Sequence, residues 1–129
     1  MDPIRSGARQ ILGAVFILGG IGVLRNPGPR AEIARPVVER VASVVPMSPA
    51  DPETAVRVNA AVHLVGGSML ALGFLPRLAA LALATSMVPT TLAGHRFWEI
   101  DDPAKRGMQR TQFLKNTAIM GGLLVTAFE

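Results

Sequence analysis

The places where this sequence could do chemistry gather around its two histidines. Asn59 and His63 lie four residues apart inside an uncharged run between Arg57 and Arg77, so on a helix they share a face. An ionisable group in the middle of such a run is rare and is a candidate for proton transfer or ligand contact. The plainer reading is a neutral histidine bonded to a hydroxyl or carbonyl of a neighbouring helix. The second place is HRFWEIDDP, which packs His95, Arg96, Trp98 and Glu99 into five residues. There His95 and Glu99 can exchange protons, and Arg96 can hold an anionic or carbonyl oxygen. The plainer reading here is an interfacial anchor, with Trp98 at the headgroups, Arg96 on phosphate and Glu99 in a surface ion pair. Gln112, Lys115 and Asn116 follow on the next apolar segment and complete the candidate set.

Other chemistry is excluded. The chain has no cysteine, which removes disulfides, thiolate nucleophiles and iron–sulfur ligation. Its two histidines have no metal-ligand spacing around them, so no metal site is expected. No Gly-rich phosphate loop and no nucleophile arrangement stand out, and no catalytic residue is assigned. The net charge is +4, but the basic residues flank apolar stretches instead of forming one patch. That pattern suits an anionic membrane and argues against nucleic acid.

The elements that must position these residues are apolar helices. Half of the 129 residues are hydrophobic and only 17% are charged, against roughly a quarter in soluble domains. One domain, residues 1–129, fits this length. Four spans are expected, at about residues 6–24, 52–74, 77–94 and 103–128. Ser6 is read as the first N-cap. Asp51-Pro52 and Asp102-Pro103 read as cap-plus-proline helix starts. The fourth span is uncharged only from Asn116 to Phe128, so Lys115 must snorkel or the helix must tilt. In the first loop, Val37, Val38, Val41, Val44 and Val45 recur at helical spacing after Pro36, which predicts an amphipathic helix at the membrane surface. The fold class is thus all-α: a four-helix transmembrane bundle with an interfacial helix in the first loop. A soluble bundle would carry a polar stripe on each helix, and the interiors of spans one, three and four carry none.

Orientation follows from the basic residues. Arg5, Arg9 and Arg77 lie on one side; Arg25, Arg30, Arg35, Arg40, Arg57, Arg96, Lys105, Arg106, Arg110 and Lys115 lie on the other. The positive-inside rule then puts both long loops in the cytoplasm and both termini outside. Small residues at four-residue spacing (Ala82, Ser86, Thr90, Gly94; Ala118, Gly122, Thr126) read as packing seams within the bundle, with a homo-oligomer seam as the alternative.

On RSGARQILGAVFILGGIGVL, VNAAVHLVGGSMLALG and GHRFWEIDDPAKRGMQRTQFLKNTAIMGGLL, the chain resembles the DoxX family of small bacterial membrane proteins over nearly its whole length. HRFWE and QFLKN carry most of the likeness. His95, Arg96, Trp98, Glu99, Phe113, Lys115 and Asn116 match the family pattern as motif positions. The resemblance implies a four-helix fold in the bacterial cell membrane. It also implies a role beside redox complexes: some members are linked to quinone-coupled thiosulfate oxidation, others to partners handling superoxide and sulfur. Without cysteine, this chain has no thiol chemistry of its own to bring to such a complex.

The expected function is therefore an accessory membrane subunit of a redox-linked complex, in contact with lipid and with other membrane or peripheral subunits. A quinone or lipid headgroup would sit between His63 and the HRFWE segment. In that arrangement His63 and His95 pass protons, Arg96 and Lys115 bind oxygen, and Trp98 packs on the ring. The alternatives are a scaffold that recruits soluble partners through residues 37–45 or 106–110, and a small-solute or lipid transporter.

Overall fold

The computed structural model describes residues 2–129 as five α-helices and one short 3-10 turn, with no strand among the described residues. Helix α1 runs Pro3–Arg25, α2 Gly28–Val44, α3 Pro52–Leu72, α4 Pro76–Gly94 and α5 Pro103–Phe128; the turn is Phe97–Glu99. Three α-helices begin with the same device, an aspartate followed by proline. Asp2 accepts from the Ile4 amide at 3.0 Å, Asp51 from the Thr54 amide at 3.1 Å and Asp102 from the Ala104 amide at 3.4 Å. Each carboxylate meets amides that have no helical acceptor, and proline in the first turn forfeits nothing. The first cap is thus Asp2, not Ser6. Ser6 lies inside α1, where its amide bonds to the Asp2 carbonyl at 3.0 Å.

Helix α2 departs further from expectation. It starts at Gly28, with Pro29 in its first turn, and runs through Pro36. Proline at 36 removes one helical hydrogen bond. Burial of Ala31 and Ala34, which precede it, and the exposed Arg35–Glu32 pair at 3.0 Å favour the helix on its other sides. That pairing also raises the Arg35 pKa, through the hydrogen bond and the attraction of Glu32.

Helices α3 and α4 form an antiparallel pair. Gly73 (φ 75°) ends α3 in the left-handed conformation, and the Phe74 amide bonds back to the Met69 carbonyl at 2.9 Å. Such a cap favours glycine because no Cβ opposes the positive φ. Pro76 then starts α4.

Helix α1 closes on α3 by glycine. A Cβ on Gly13 would lie 2.5 Å from the Gly67 carbonyl oxygen, and one on Gly20 would lie 2.8 Å from that of Ala60. As α1 advances from Gly13 to Gly20, its neighbour on α3 retreats from Gly67 to Ala60, so these two are antiparallel as well. The core behind this seam joins Phe16 of α1, Leu70 of α3, Leu83 and Met87 of α4 and Leu123 of α5.

Three helical segments are long and apolar enough to cross a membrane: Pro3–Arg25, Pro52–Leu72, and Pro76–Glu99, which is α4 with the turn after it. Their mean hydropathies are 1.6, 1.4 and 1.2. Helix α5 covers the residues expected of a fourth span but is not among them. Lys105, Arg106, Arg110 and Lys115 occupy its first half.

Candidate functional site

The antiparallel order brings the C-terminal end of α1, all of α2, the start of α3, the end of α4 and the start of α5 to one end of the molecule. The polar side chains converge there. Asn59 engages α4 through both ends of its amide: its Nδ2 donates to Thr90 Oγ1 at 2.7 Å, and its Oδ1 accepts from Ser86 Oγ. Thr90 Oγ1 also donates to the Ser86 carbonyl at 2.9 Å. Asn116, buried on α5, donates to Thr91 Oγ1 at 3.2 Å. One turn further along α4, His95 Nδ1 lies 2.6 Å from Gln109 Oε1. Since that oxygen can only accept, Nδ1 carries the proton.

His63 behaves differently. Its ring meets Phe16 edge-on, with centroids 5.1 Å apart at 82°. Its Nε2 is buried with no hydrogen-bond partner among the described residues. A buried polar atom left open beside a cavity asks for a ligand or water.

The cavity that these residues face has a volume of about 1120 Å³. Asn59, His63, His95, Lys115 and Asn116 line it, as do Ser86, Thr90, Gln109 and Gln112. Helix α2 forms one wall through Val37, Val38 and Val41, with Arg30 at its start. The valine stripe expected to rest on the membrane surface therefore turns inward in part, while Val44 and Val45 remain exposed.

The HRFWE segment divides. His95 faces the cavity; Arg96, Trp98 and Glu99 are not among its lining residues. Arg96 pairs with Glu99 at 3.6 Å. Trp98 packs edge-to-face against Phe97 and Phe113, with centroids 5.3 and 5.7 Å away. These contacts fix the turn between α4 and α5 and so hold His95 over Gln109. The nine candidate residues thus separate into six around the cavity, Gln112 among them, and three that brace the loop beside it. No group of three or more metal-ligating side chains is present among the described residues.

Sequence reasoning missed the contributions of Gln109, Arg30 and the inner face of α2. Ser86 and Thr90 were expected as small residues of a packing seam, yet both bind Asn59. A signal for this existed: two hydroxyls four residues apart on α4, with one amide on an adjacent antiparallel helix. Outside the apolar segments, Thr54 holds the Asp51 carboxyl below its usual pKa by donating from both its hydroxyl, at 2.7 Å, and its amide.

No curated protein and no solved structure matches the chain. The DoxX family model matches residues 5–96. This takes in α1 to α4 and the start of HRFWE, and stops short of α5 and QFLKN. With most of its length matched, from the first apolar helix to His95 and Arg96, the chain belongs to the DoxX family.

Proposed function

We propose that this chain is an accessory subunit of a redox-linked complex in the bacterial cell membrane, and that its cavity holds a membrane-soluble amphiphile, a quinone or a lipid headgroup. One observation carries the reading: a cavity of about 1120 Å³ has largely apolar walls and a few polar groups converging from α3, α4 and α5. That is the common design of a site for a partly polar small molecule. In this reading His63 and His95 face the ligand's polar end, and Lys115 reaches its oxygen atoms. Helix α5 serves as a fourth span, with Lys115 drawn to the cavity side. The positive-inside rule puts the cavity end, with α2 and the α4–α5 turn, in the cytoplasm.

The scaffold alternative is less well supported for residues 37–45, because Val37, Val38 and Val41 face the cavity. The test is to purify the protein in a mild neutral detergent, extract it with organic solvent and identify by mass spectrometry whatever is retained. About one amphiphile per chain is expected, together with copurifying redox subunits. A chain that retains no stoichiometric amphiphile, and takes up neither decylubiquinone nor lysolipid when these are added, would overturn the reading.

A further inference from the structure

The shape and charge of the cavity narrow its ligand. Along α4 the lining extends from Leu78 to His95, about 26 Å at 1.5 Å per residue. That exceeds one leaflet's share, about 15 Å, of a typical hydrocarbon core. The two ends differ. Arg30, His95, Gln109, Gln112 and Lys115 lie toward the loop-rich end, and an apolar wall of Val58, Val62, Leu78 and Ala82 runs from there toward the other end. Those last four also line a second, apolar groove of about 490 Å³ between α3 and α4, which continues past Val65 and Met69. Val65 and Leu78 are exposed, so the groove opens sideways toward hydrocarbon.

Charge decides what the polar end receives. No Asp or Glu lines either space. Arg5, Arg35, Arg57 and Arg96 each pair with a carboxylate within 3.7 Å. Arg30 and Lys115, both exposed, are the Arg and Lys side chains that line the cavity, and neither makes an ion pair among the described residues. Two cations facing a concave apolar space without a counter-charge favour an anion there. A neutral aromatic ring finds less: the two rings of Phe16 and His63 lie against each other, and Trp98 and Phe113 pack together away from the cavity.

We infer that the cavity takes an acyl-chain lipid with an anionic head, bound by Arg30 and Lys115, whose tail leaves through the α3–α4 groove. This rests on the reading of the cavity as a ligand site and deepens it. The head chemistry is shared by a fatty-acid carboxylate and a lipid phosphate.

The test measures binding of radiolabelled oleate and oleoyl lysophosphatidate to the full chain in phosphatidylcholine nanodiscs. Lysophosphatidylcholine serves as the zwitterionic comparison and decylubiquinone as the neutral ring. At least one anionic lipid binds, and whichever binds tighter identifies carboxylate or phosphate as the head. The double variant Arg30→Gln/Lys115→Gln weakens this binding by about tenfold or more, whereas Arg35→Gln, which alters a cation outside the cavity, does not. Ala82→Phe, at an exposed position shared by both spaces, obstructs the tail and weakens binding without lowering the melting temperature. Equal binding of lysophosphatidylcholine, or unchanged binding by the double variant, overturns the inference. Binding of decylubiquinone without either anionic lipid overturns it too and leaves the wider reading standing; binding of none of the probes removes both.

Discussion

Helix α3 shows two ways of meeting a neighbour. On one face Gly67 and Ala60 let α1 approach until backbone touches backbone, leaving no room for a Cβ at Gly13 or Gly20. On another face Asn59 reaches α4 through Thr90 and Ser86, and a cavity of about 1120 Å³ remains beside that contact. Close backbone packing gains dispersion contacts along the whole seam and excludes everything else. Side-chain hydrogen bonds fix the distance between helices at a few points and leave space between them. The α1–α3 seam is therefore the close-packed part of the molecule, and the space bordered by α2, α3, α4, α5 and by Val15, Phe16 and Gly19 of α1 is its open part.

The largest effect should come from breaking the seam. Gly67→Val must displace the Gly13 carbonyl and Phe16 Cβ, both within 2.9 Å of the new Cβ. A loss of about 1–3 kcal/mol is expected from such overpacking, seen as a lower melting temperature in detergent. Gly121→Ala meets nothing within 4 Å and should change little. If the two substitutions cost the same, the close packing of the seam is wrong. The next effect lies at the Asn59 contact. A double-mutant cycle of Asn59→Ala and Thr90→Ala should give a coupling of about 0.6 kcal/mol, the mean for polar pairs between membrane helices. Coupling indistinguishable from zero would mean that the hydrogen bond does not hold α3 to α4.

How much of this contrast could be read from residues alone depends on whether the cause was local. Asp51-Pro52 and Asp102-Pro103 gave correct helix starts, because capping is decided within four residues. Asp2-Pro3 carries the same signature, but the cap was expected at Ser6, next to the apolar run. Helix α2 was read too short because Pro36 was taken as a beginning. What keeps the helix through Pro36 includes burial of Ala31 and Ala34, which depends on other elements. The shared face of Asn59 and His63 was legible, but their partners were not: one turns to hydroxyls on α4, the other to Phe16 on α1. Periodicity tells which residues lie together on a helix and not what stands opposite them. The same limit applies to HRFWE, where neighbours in sequence point to different places.

That division of HRFWE supports a third prediction, local to the loop. Trp98→Ala removes two edge-to-face contacts, each worth about 0.5–1.5 kcal/mol, and should loosen the α4–α5 turn. Faster amide exchange at residues 96–101 would report it. Because Trp98 does not line the cavity, the amount of amphiphile retained on purification should fall less than with Lys115→Gln. A larger loss with Trp98→Ala would return the indole to the ligand site.

The smallest effect concerns the cap of α3 at the cavity end. Thr54 lowers the folded-state pKa of Asp51, so the charged carboxylate binds its amide and hydroxyl better in the folded chain than in the unfolded one. The stability it contributes is present above the unfolded value, near 3.8, and is lost as pH falls through the lower folded value. Melting temperature followed from pH 6 downward should therefore decline less steeply in Asp51→Asn than in the parent. The variant's own hydrogen bond to the Thr54 amide should keep the difference at neutral pH small, since asparagine caps nearly as well. Asp51 is exposed, and water screens its attraction to Arg35 and Arg57. Added salt should then leave the acid decline largely unchanged, because the hydrogen bonds from Thr54 carry most of the shift. A decline that salt abolished would assign the cap's contribution to those arginines and move it from the start of α3 to the charged surface around it.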